Sequence, residues 1–336
     1  MFTRHVKDTV RQGIDCGERF AVFRFPGDDV FHIAGEAGYT FLVHEFGGKF
    51  SEAVDIRDFR QDRQPPEKCI EIAEHEKNVR EVIRRHKELG YGKTVLSYVQ
   101  GGFTDSENII ERLERFFNLN RENFCFVMQA IPGQLWVSAT PELLLEYKNG
   151  TARTIALAGT RPHGESPEFW DDKNRNEQKI VTDYIVSQWR SIGLDVRTGE
   201  PHTVKSCNLE HICTDISAEV GTTHTVADLI DAIYPTPAVL GYPVDFAKKN
   251  IADFENHKRN FYSGYVVVNS PDGVVRAYVI LRCACIDVDS RFSLNIYAGG
   301  GITAESDAVA EVVEVHNKAC VLSSVLVGES NPEQPM

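Results

Sequence analysis

Residues 123–157 read NFCFVMQAIPGQLWVSATPELLLEYKNGTARTIAL. The stretch holds four short runs of aromatic, β-branched and aliphatic side chains: NFCFVMQAI, QLWVSAT, ELLLEYK and TARTIAL. Turn signals at Pro132-Gly133, Pro141 and Asn149-Gly150 separate them. Runs this short, joined by links this tight, return beside one another, so the segment predicts an antiparallel meander.

The same rhythm extends outward on both sides. Downstream, YSGYVVVNS, the Pro271-Asp272-Gly273 turn, VVRAYVILRCACI and RFSLNIYAGGGI predict three more hairpin strands. Upstream, GKTVLSYVQ reads as a strand, and the first sixty residues read as short strands such as RFAVFRF and YTFLVHEF, broken by PGDD and FGGKF. Helical spacing fills the gaps. From Pro66 to Leu89 the residues Ile72, Val79, Val82, Ile83 and Leu89 share one face, and Gly90 supplies the stop. Thr104 with Glu107 predicts a capping box opening a helix through Ile109, Ile110, Leu113, Phe116 and Phe117. Further helices are expected over Pro167 to Ile192, from Pro243 with Phe246, Ala247, Ile251 and Phe254, and over Asp307 to Leu326. Strands in runs with helices between the runs make the fold class α+β, with mainly antiparallel sheet.

The chain has 336 residues, 42% hydrophobic and 25% charged, a soluble globular composition for which one domain is the preferred reading. A formal net charge of −13 argues against phosphate backbones and anionic membranes as partners. No stretch approaches the roughly 18 apolar residues of a membrane helix, and the opening MFTRHVKDTVRQGIDCG lacks the apolar centre of a signal peptide, so the cytoplasm is expected. The cysteines, at 16, 69, 125, 207, 213, 283, 285 and 320, show no CxxC pair or zinc spacing and read as reduced, with Cys283 and Cys285 packed on one strand face.

Function shows first where polar residues interrupt apolar patterns, because an unpaired buried charge is costly. Arg282 lies in VILRCACI, where strand alternation puts it on the face of Ile280, Ala284 and Ile286; it needs an anion, either an internal salt-bridge partner or a substrate carboxylate held bidentately. Glu177 falls on the helix face of Val181 and Tyr184, as a rim residue reaching solvent or as a ligand for a hard cation. In the last helix Asp307, Glu311, Glu314 and Lys318 form a charged stripe opposite Ala308, Val312, Val315, Ala319 and Leu322. Such a stripe is normally a solvated face, yet AGGGI just upstream permits close backbone approach to a ligand.

These residues sit in KTVLS, ATPELLL, IALAGTRP, RNEQKIV, LEHICT, PTPAVLGYP, ENHKRNFYSG, LRCA, YAGGGI and a closing E-x-x-E-x-x-x-K. Together, over about residues 90 to 325, they resemble the chorismate-utilising enzymes: isochorismate synthase, anthranilate synthase component I, aminodeoxychorismate synthase component I and salicylate synthase. The resemblance implies two packed antiparallel sheets, helices outside, and an active site in the cleft between the halves. It implies a single chorismate-binding domain over 1–336, with 1–90 a variable N-terminal part, shorter than is common in the family, and 91–326 holding the catalytic core motifs.

Within that resemblance, Lys93 occupies the place of the lysine in members that use water, where anthranilate synthases have glutamine. Ala158 stands where aminodeoxychorismate synthases have a nucleophilic lysine. The closest sibling is thus isochorismate synthase, an isomerase: Lys93 as general base for water attack at C2, and Glu142 as the acid for the departing C4 hydroxyl. The resemblance also implies Mg2+ on Glu177 and Glu314, with Arg282, Lys318 and the backbone around Gly159, Thr160, Ala238 and Gly299 holding the dianionic substrate, and His211 and Tyr297 nearby. Salicylate synthase, anthranilate synthase component I and a noncatalytic chorismate-binding protein are the alternatives. Expected partners are chorismate alone, with no nucleic acid, no membrane and no obligatory glutaminase subunit; a monomer is favoured, serving menaquinone or siderophore biosynthesis. Tyr234, Tyr98 and AGGGI depart from the histidine, arginine and AGAGI of many relatives.

Overall fold

In this computed structural model, which describes residues 1–164, 170–206, 209–221 and 223–328, the chain opens with α1 (Arg4–Cys16), β1 (Phe20–Arg24), β2 (His32–Ile33) and β3 (Thr40–His44). There follow β4 (Val54–Asp55), α2 (Ile72–Leu89), β5 (Lys93–Phe103), α3 (Ile109–Leu119) and the strands β6 (Phe124–Ile131), β7 (Gln134–Thr140), β8 (Leu143–Lys148) and β9 (Thr151–Pro162). These last four form two hairpins, β6 with β7 and β8 with β9, in different sheets and not the single meander expected over 123–157. Then come α4 (Asp172–Ser191), β10 (Val196–Thr198), β11 (His202–Ser206), β12 (Leu209–Glu219), α5 (Val226–Ile233), β13 (Gly241–Tyr242) and α6 (Val244–Phe254). The chain closes with β14 (Tyr265–Asn269), β15 (Val275–Val279), β16 (Cys283–Asp287), β17 (Ser293–Ile302) and α7 (Ala308–Leu326). Among the described residues no helix is long and apolar enough to cross a membrane.

The strands form two sheets with antiparallel pairing throughout. One runs β13-β5-β17-β16-β7-β6-β1-β2 and the other β10-β12-β9-β8-β15-β14-β3-β4, with β11 beside β12. The strand β6, FCFVMQAI, is buried at every position, as a strand covered on both faces must be. Its inner side chains Phe124, Phe126 and Met128 meet Phe41, Val266, Val268 and Tyr278 of the other sheet, with the Phe124 and Tyr278 rings stacked 4.0 Å apart. Outside, α1, α3 and α7 cover the first sheet, while α4 and α5 cover the second through Val181, Ile185, Trp189, Leu229 and Ile230. The architecture is α+β, with two packed antiparallel sheets between helices.

The chain crosses between the sheets in two adjacent places that bear on function. Pro141-Glu142 links β7 in the first sheet to β8 in the second, and Ile280–Arg282 links β15 in the second to β16 in the first. The crossings run side by side: Val279 N donates to Glu142 O at 3.1 Å, and Ser138 Oγ to Leu281 O at 2.7 Å. This corrects the reading of VVRAYVILRCACI as one strand. Arg282 takes φ 46, a left-handed conformation that ends strand alternation, so the side chain leaves the sheet instead of sharing a face with Ala284.

Other expectations shift locally. The N-terminal segment opens with a helix, capped by Thr3, which accepts from Val6 N at 3.2 Å. Helix α2 begins at Ile72 rather than near Pro66, and the start expected near Pro167 lies outside the described residues, α4 being capped by Asp171. The Thr104–Glu107 capping box does not form: Thr104 N donates to Phe292 O at 2.9 Å, which keeps the residue on the sheet, and α3 starts after Asn108. All seven described cysteines are free, and Cys283 and Cys285 pack between the sheets; Cys207 lies outside the described residues.

Candidate active site

The crossings open one end of the space between the sheets into a cleft with an empty volume of ≈ 740 Å³, solvent at its mouth included. Strand β5 supplies Lys93, β17 supplies Tyr297, Gly299 and Gly301, β9 supplies Ala158, Gly159 and Thr160, and β12 supplies His211. Glu142 and Arg282 enter from the two crossings, Ala238 from the loop after α5, Glu177 from α4 and Lys318 from α7. Residues read as candidates from separate motifs therefore converge, and of the whole set only Glu314 stays off the cleft wall.

Glu142 is 4% exposed, and burial pushes its carboxyl up to about 7, with Lys93 and Thr236 pulling weakly the other way. Glu177 is equally enclosed but surrounded by cations. Lys93 Nζ lies 2.8 Å from its Oε1 and Lys173 Nζ 3.3 Å from its Oε2. Burial works against the charge of Glu177, and these ammonium groups outweigh it, holding the carboxyl at about 2. Two carboxyls in one cleft are thus driven apart, one toward the acid form and one toward the anion.

Lys173 also reaches Glu311 Oε1 at 2.9 Å, while Lys318 Nζ pairs with Glu314 at 2.7 Å and donates to Gly299 O at 3.1 Å. Of the charged stripe of α7, Glu311 is buried and Lys318 lines the cleft, while Asp307 stays exposed. Glu311 is 4% exposed; burial and the nearby Glu314 and Glu177 raise its carboxyl while Lys173 opposes them, and its Oε2 has no hydrogen-bond partner. Helix periodicity shows that Glu311 and Glu314 share a stripe but not which part of it is enclosed, so the pattern alone gives Glu311 no role. Lys173 was also missed, although its place one turn before Glu177 was a usable signal.

At the far side, Arg282 donates to Ser206 Oγ and, at 2.6 Å, contacts His211 Nε2. Burial first, then the charges of Arg282 and Lys318, holds His211 well below the ordinary imidazole range. Tyr297 is stacked between Trp136 and Tyr262, at 5.3 and 5.6 Å between ring centroids. The departures at Tyr234 and Tyr98 face elsewhere: Tyr234 OH donates to Ser263 O at 2.8 Å, and Tyr98 packs on His75. Gly300 leaves room for α7, since a Cβ there would lie 2.9 Å from Val315 Cγ2.

The acidic end fits a hard cation. Glu177 and Glu311 converge on one ammonium, the donors are all oxygen, and Glu311 Oε2 is left over. Among the described residues no group of three or more His, Cys, Asp or Glu side chains is placed to hold a metal ion. Mg2+ requires none, because it takes one or two protein carboxylates and completes its shell with water and substrate oxygens.

Known proteins share both sequence and fold. The family described as chorismate binding enzyme matches residues 49–327. The putative isochorismate synthase MenF of Mycobacterium tuberculosis (strain ATCC 25618 / H37Rv) is 32% identical over 205 residues, 58% of this chain and 55% of that protein. Isochorismate synthase MenF of Bacillus subtilis (strain 168) is 26% identical over 295 residues, 83% of this chain and 62% of that protein. The chain thus spans about half to three fifths of the length of these curated relatives. Among solved structures, MenF, the menaquinone-specific isochorismate synthase from Escherichia coli, superposes with a TM-score of 0.74 at 18% identity, over 92% of this chain and 88% of that one. Anthranilate synthase component I from Streptococcus pneumoniae TIGR4 gives 0.65 at 20% identity, over 79% and 61%; at such identities these likenesses establish the fold. With the family match running from ahead of α2 to the end of α7, the chain belongs to the chorismate binding enzymes.

Proposed function

We propose that the protein is an isochorismate synthase, an isomerase that adds water to C2 of chorismate and releases the C4 hydroxyl. The observation that carries this reading is Lys93 and Glu142 in one cleft, with Glu142 held up to about 7 by burial. Lys93, acting as the free amine and not as the ammonium paired with Glu177, takes a proton from water as the water oxygen bonds to C2; the ring double bonds shift, the C4–O bond breaks, and Glu142 gives its proton to the departing oxygen. One water enters and one leaves, and the proton gained by Lys93 balances the one lost by Glu142. Ala158 lines the cleft, so no amine stands at that position to attack the ring.

Glu177 would hold Mg2+ together with a carboxylate of α7: Glu314, once it parts from Lys318, with Glu311 and its unpartnered Oε2 one turn earlier. Bound there, the ion supplies positive charge for the ring carboxylate of the substrate. Arg282 and Lys318 supply cations for the rest of the dianion, and the backbone at Gly159, Thr160, Ala238 and Gly299 supplies polar contacts. The single-domain organisation, cytoplasmic location, independence from a glutaminase subunit and supply of menaquinone or siderophore biosynthesis belong to the same proposal.

The test is product analysis. Incubation of the full chain with chorismate and Mg2+ is expected to give isochorismate without pyruvate, and chelation is expected to stop it. Salicylate with pyruvate, or anthranilate when ammonia is added, would overturn the assignment.

A further inference from the structure

We propose that His211 is a positioning residue: a neutral imidazole with its proton fixed on Nδ1, which orients the Arg282 guanidinium and exchanges no proton with the substrate. The inference rests on the reading of Arg282 as the anion clamp and deepens it.

The partners decide the tautomer. A guanidinium has donors and no acceptor, so the 2.6 Å contact between Arg282 Nη2 and His211 Nε2 requires a lone pair on Nε2. The other ring nitrogen lies 3.1 Å from Gly159 O and 3.2 Å from Thr160 Oγ1. A carbonyl oxygen only accepts, so Nδ1 carries the proton. A second ring proton would point Nε2–H at the guanidinium. The enclosure and the other charged groups around the ring, Lys318 and Glu177, leave the imidazole neutral on balance.

His211 is the central link of a longer relay. Asn174 Nδ2 donates to Asp171 Oδ1 at 2.9 Å, and Asp171 caps α4. Thr160 N donates to Asn174 Oδ1 at 3.1 Å, and a Cβ at Gly159 would lie 3.2 Å from Asn174, so β9 sits directly against the first turn of α4. On the far side Arg282 donates to Ser206 Oγ, which itself donates to Asn123 Oδ1 at 2.8 Å. The relay thus ties the helix that carries Glu177 to the guanidinium that enters the cleft. Arg282 is held at φ 46, a left-handed conformation that is costly for a long side chain, and the relay contributes contacts that fix it there. With Nε2 committed to Arg282, the proton transfers of the reaction fall to Lys93 and Glu142.

The test is 15N NMR of the full chain labelled at histidine, with the His211 signals assigned by their absence in His211→Gln. The expected result is a lone-pair Nε2 and a protonated Nδ1, unchanged between about pH 5.5 and 8.5. Titration within that window, or a protonated Nε2, would overturn the proposal. In steady-state kinetics His211→Leu is expected to raise KM for chorismate about tenfold. kcat should fall less than KM rises, with the limbs of the pH profile in place, and His211→Gln, which keeps an acceptor for Arg282, should recover part of KM. Loss of kcat at constant KM would make His211 a proton carrier and sink the idea. The spectrum of the unsubstituted chain needs no turnover. A chain that makes no isochorismate would refute the proposed function and leave the tautomer decided on its own evidence.

Discussion

Glu142 is buried, and burial ties its ionisation to the stability of the fold. Its folded value of about 7 exceeds the ordinary 4.5, so the folded state binds the proton more tightly than the unfolded chain. The resulting stabilisation is complete below about pH 4.5 and is lost as pH rises through about 7, a swing on the order of 3 kcal/mol. Glu177 behaves oppositely: held at about 2, it contributes stability present above 4.5 and lost as pH falls toward 2. Glu142→Gln should therefore gain stability relative to the parent between about pH 5 and 8 in urea titrations, while kcat falls roughly 100-fold or more. A constant stability difference across that range would contradict a buried, titrating carboxyl. The parent enzyme should likewise lose kcat as pH rises above about 7, as Glu142 ionises. Glu142 was legible in the sequence from its motif alone, whereas its raised pKa needs knowledge of what encloses it, which residue order does not carry.

Strand β17 shows what an element contributes beyond its side chains. A Cβ at Gly301 would collide with Glu177 Oε1 and Lys93 Cε, so the missing side chain is what lets the helix-borne carboxylate meet the strand-borne amine. Gly301→Ala should abolish turnover by separating that pair, and its thermal unfolding should shift by only a few degrees, because the cleft can open where the core cannot. Gly300→Ala meets Val315 Cγ2 at 2.9 Å, a neighbour that can give by a small rotation, so it should keep most activity. Equal losses in the two variants, measured as kcat/KM, would contradict this difference. Helices α2 and α7 were legible as helices from a period near 3.6 in Val79, Val82 and Ile83 and in Ala308, Val312, Val315, Ala319 and Leu322, although Ile72 proves exposed and Glu311 buried. The break at Arg282 was not, since its apolar neighbours on both sides continue a strand pattern and only the left-handed φ ends it.

At the scale of the molecule the sequence revealed strands but not their neighbours. Alternation says which side chains share a face, and nothing local says that β1 pairs with β6 about a hundred residues on, or that β8 and β15 lie together. The buried pair of Glu255 and Arg259 helps to hold that arrangement. Arg259 Nη2 lies 2.6 Å from Glu255 Oε1 and 2.7 Å from Val95 O in the first sheet, and Nη1 lies 2.8 Å from Val239 O. Its guanidinium carbon sits 4.5 Å from the ring centroid of Phe46, which brings the N-terminal part to the same point, while Glu255 accepts from Ser97 N at 2.7 Å. Removing one partner strands a charge in the interior. Arg259→Met is expected to cost about 3–5 kcal/mol in urea unfolding, and Glu255→Gln a similar amount. The double variant strands no charge, and its glutamine can still accept from Ser97, so it should be less destabilised than the sum of the two by about 1–3 kcal/mol. Additive losses would mean that each residue acts through its own backbone contacts, and that the ion pair does not join the N-terminal part to the cleft wall.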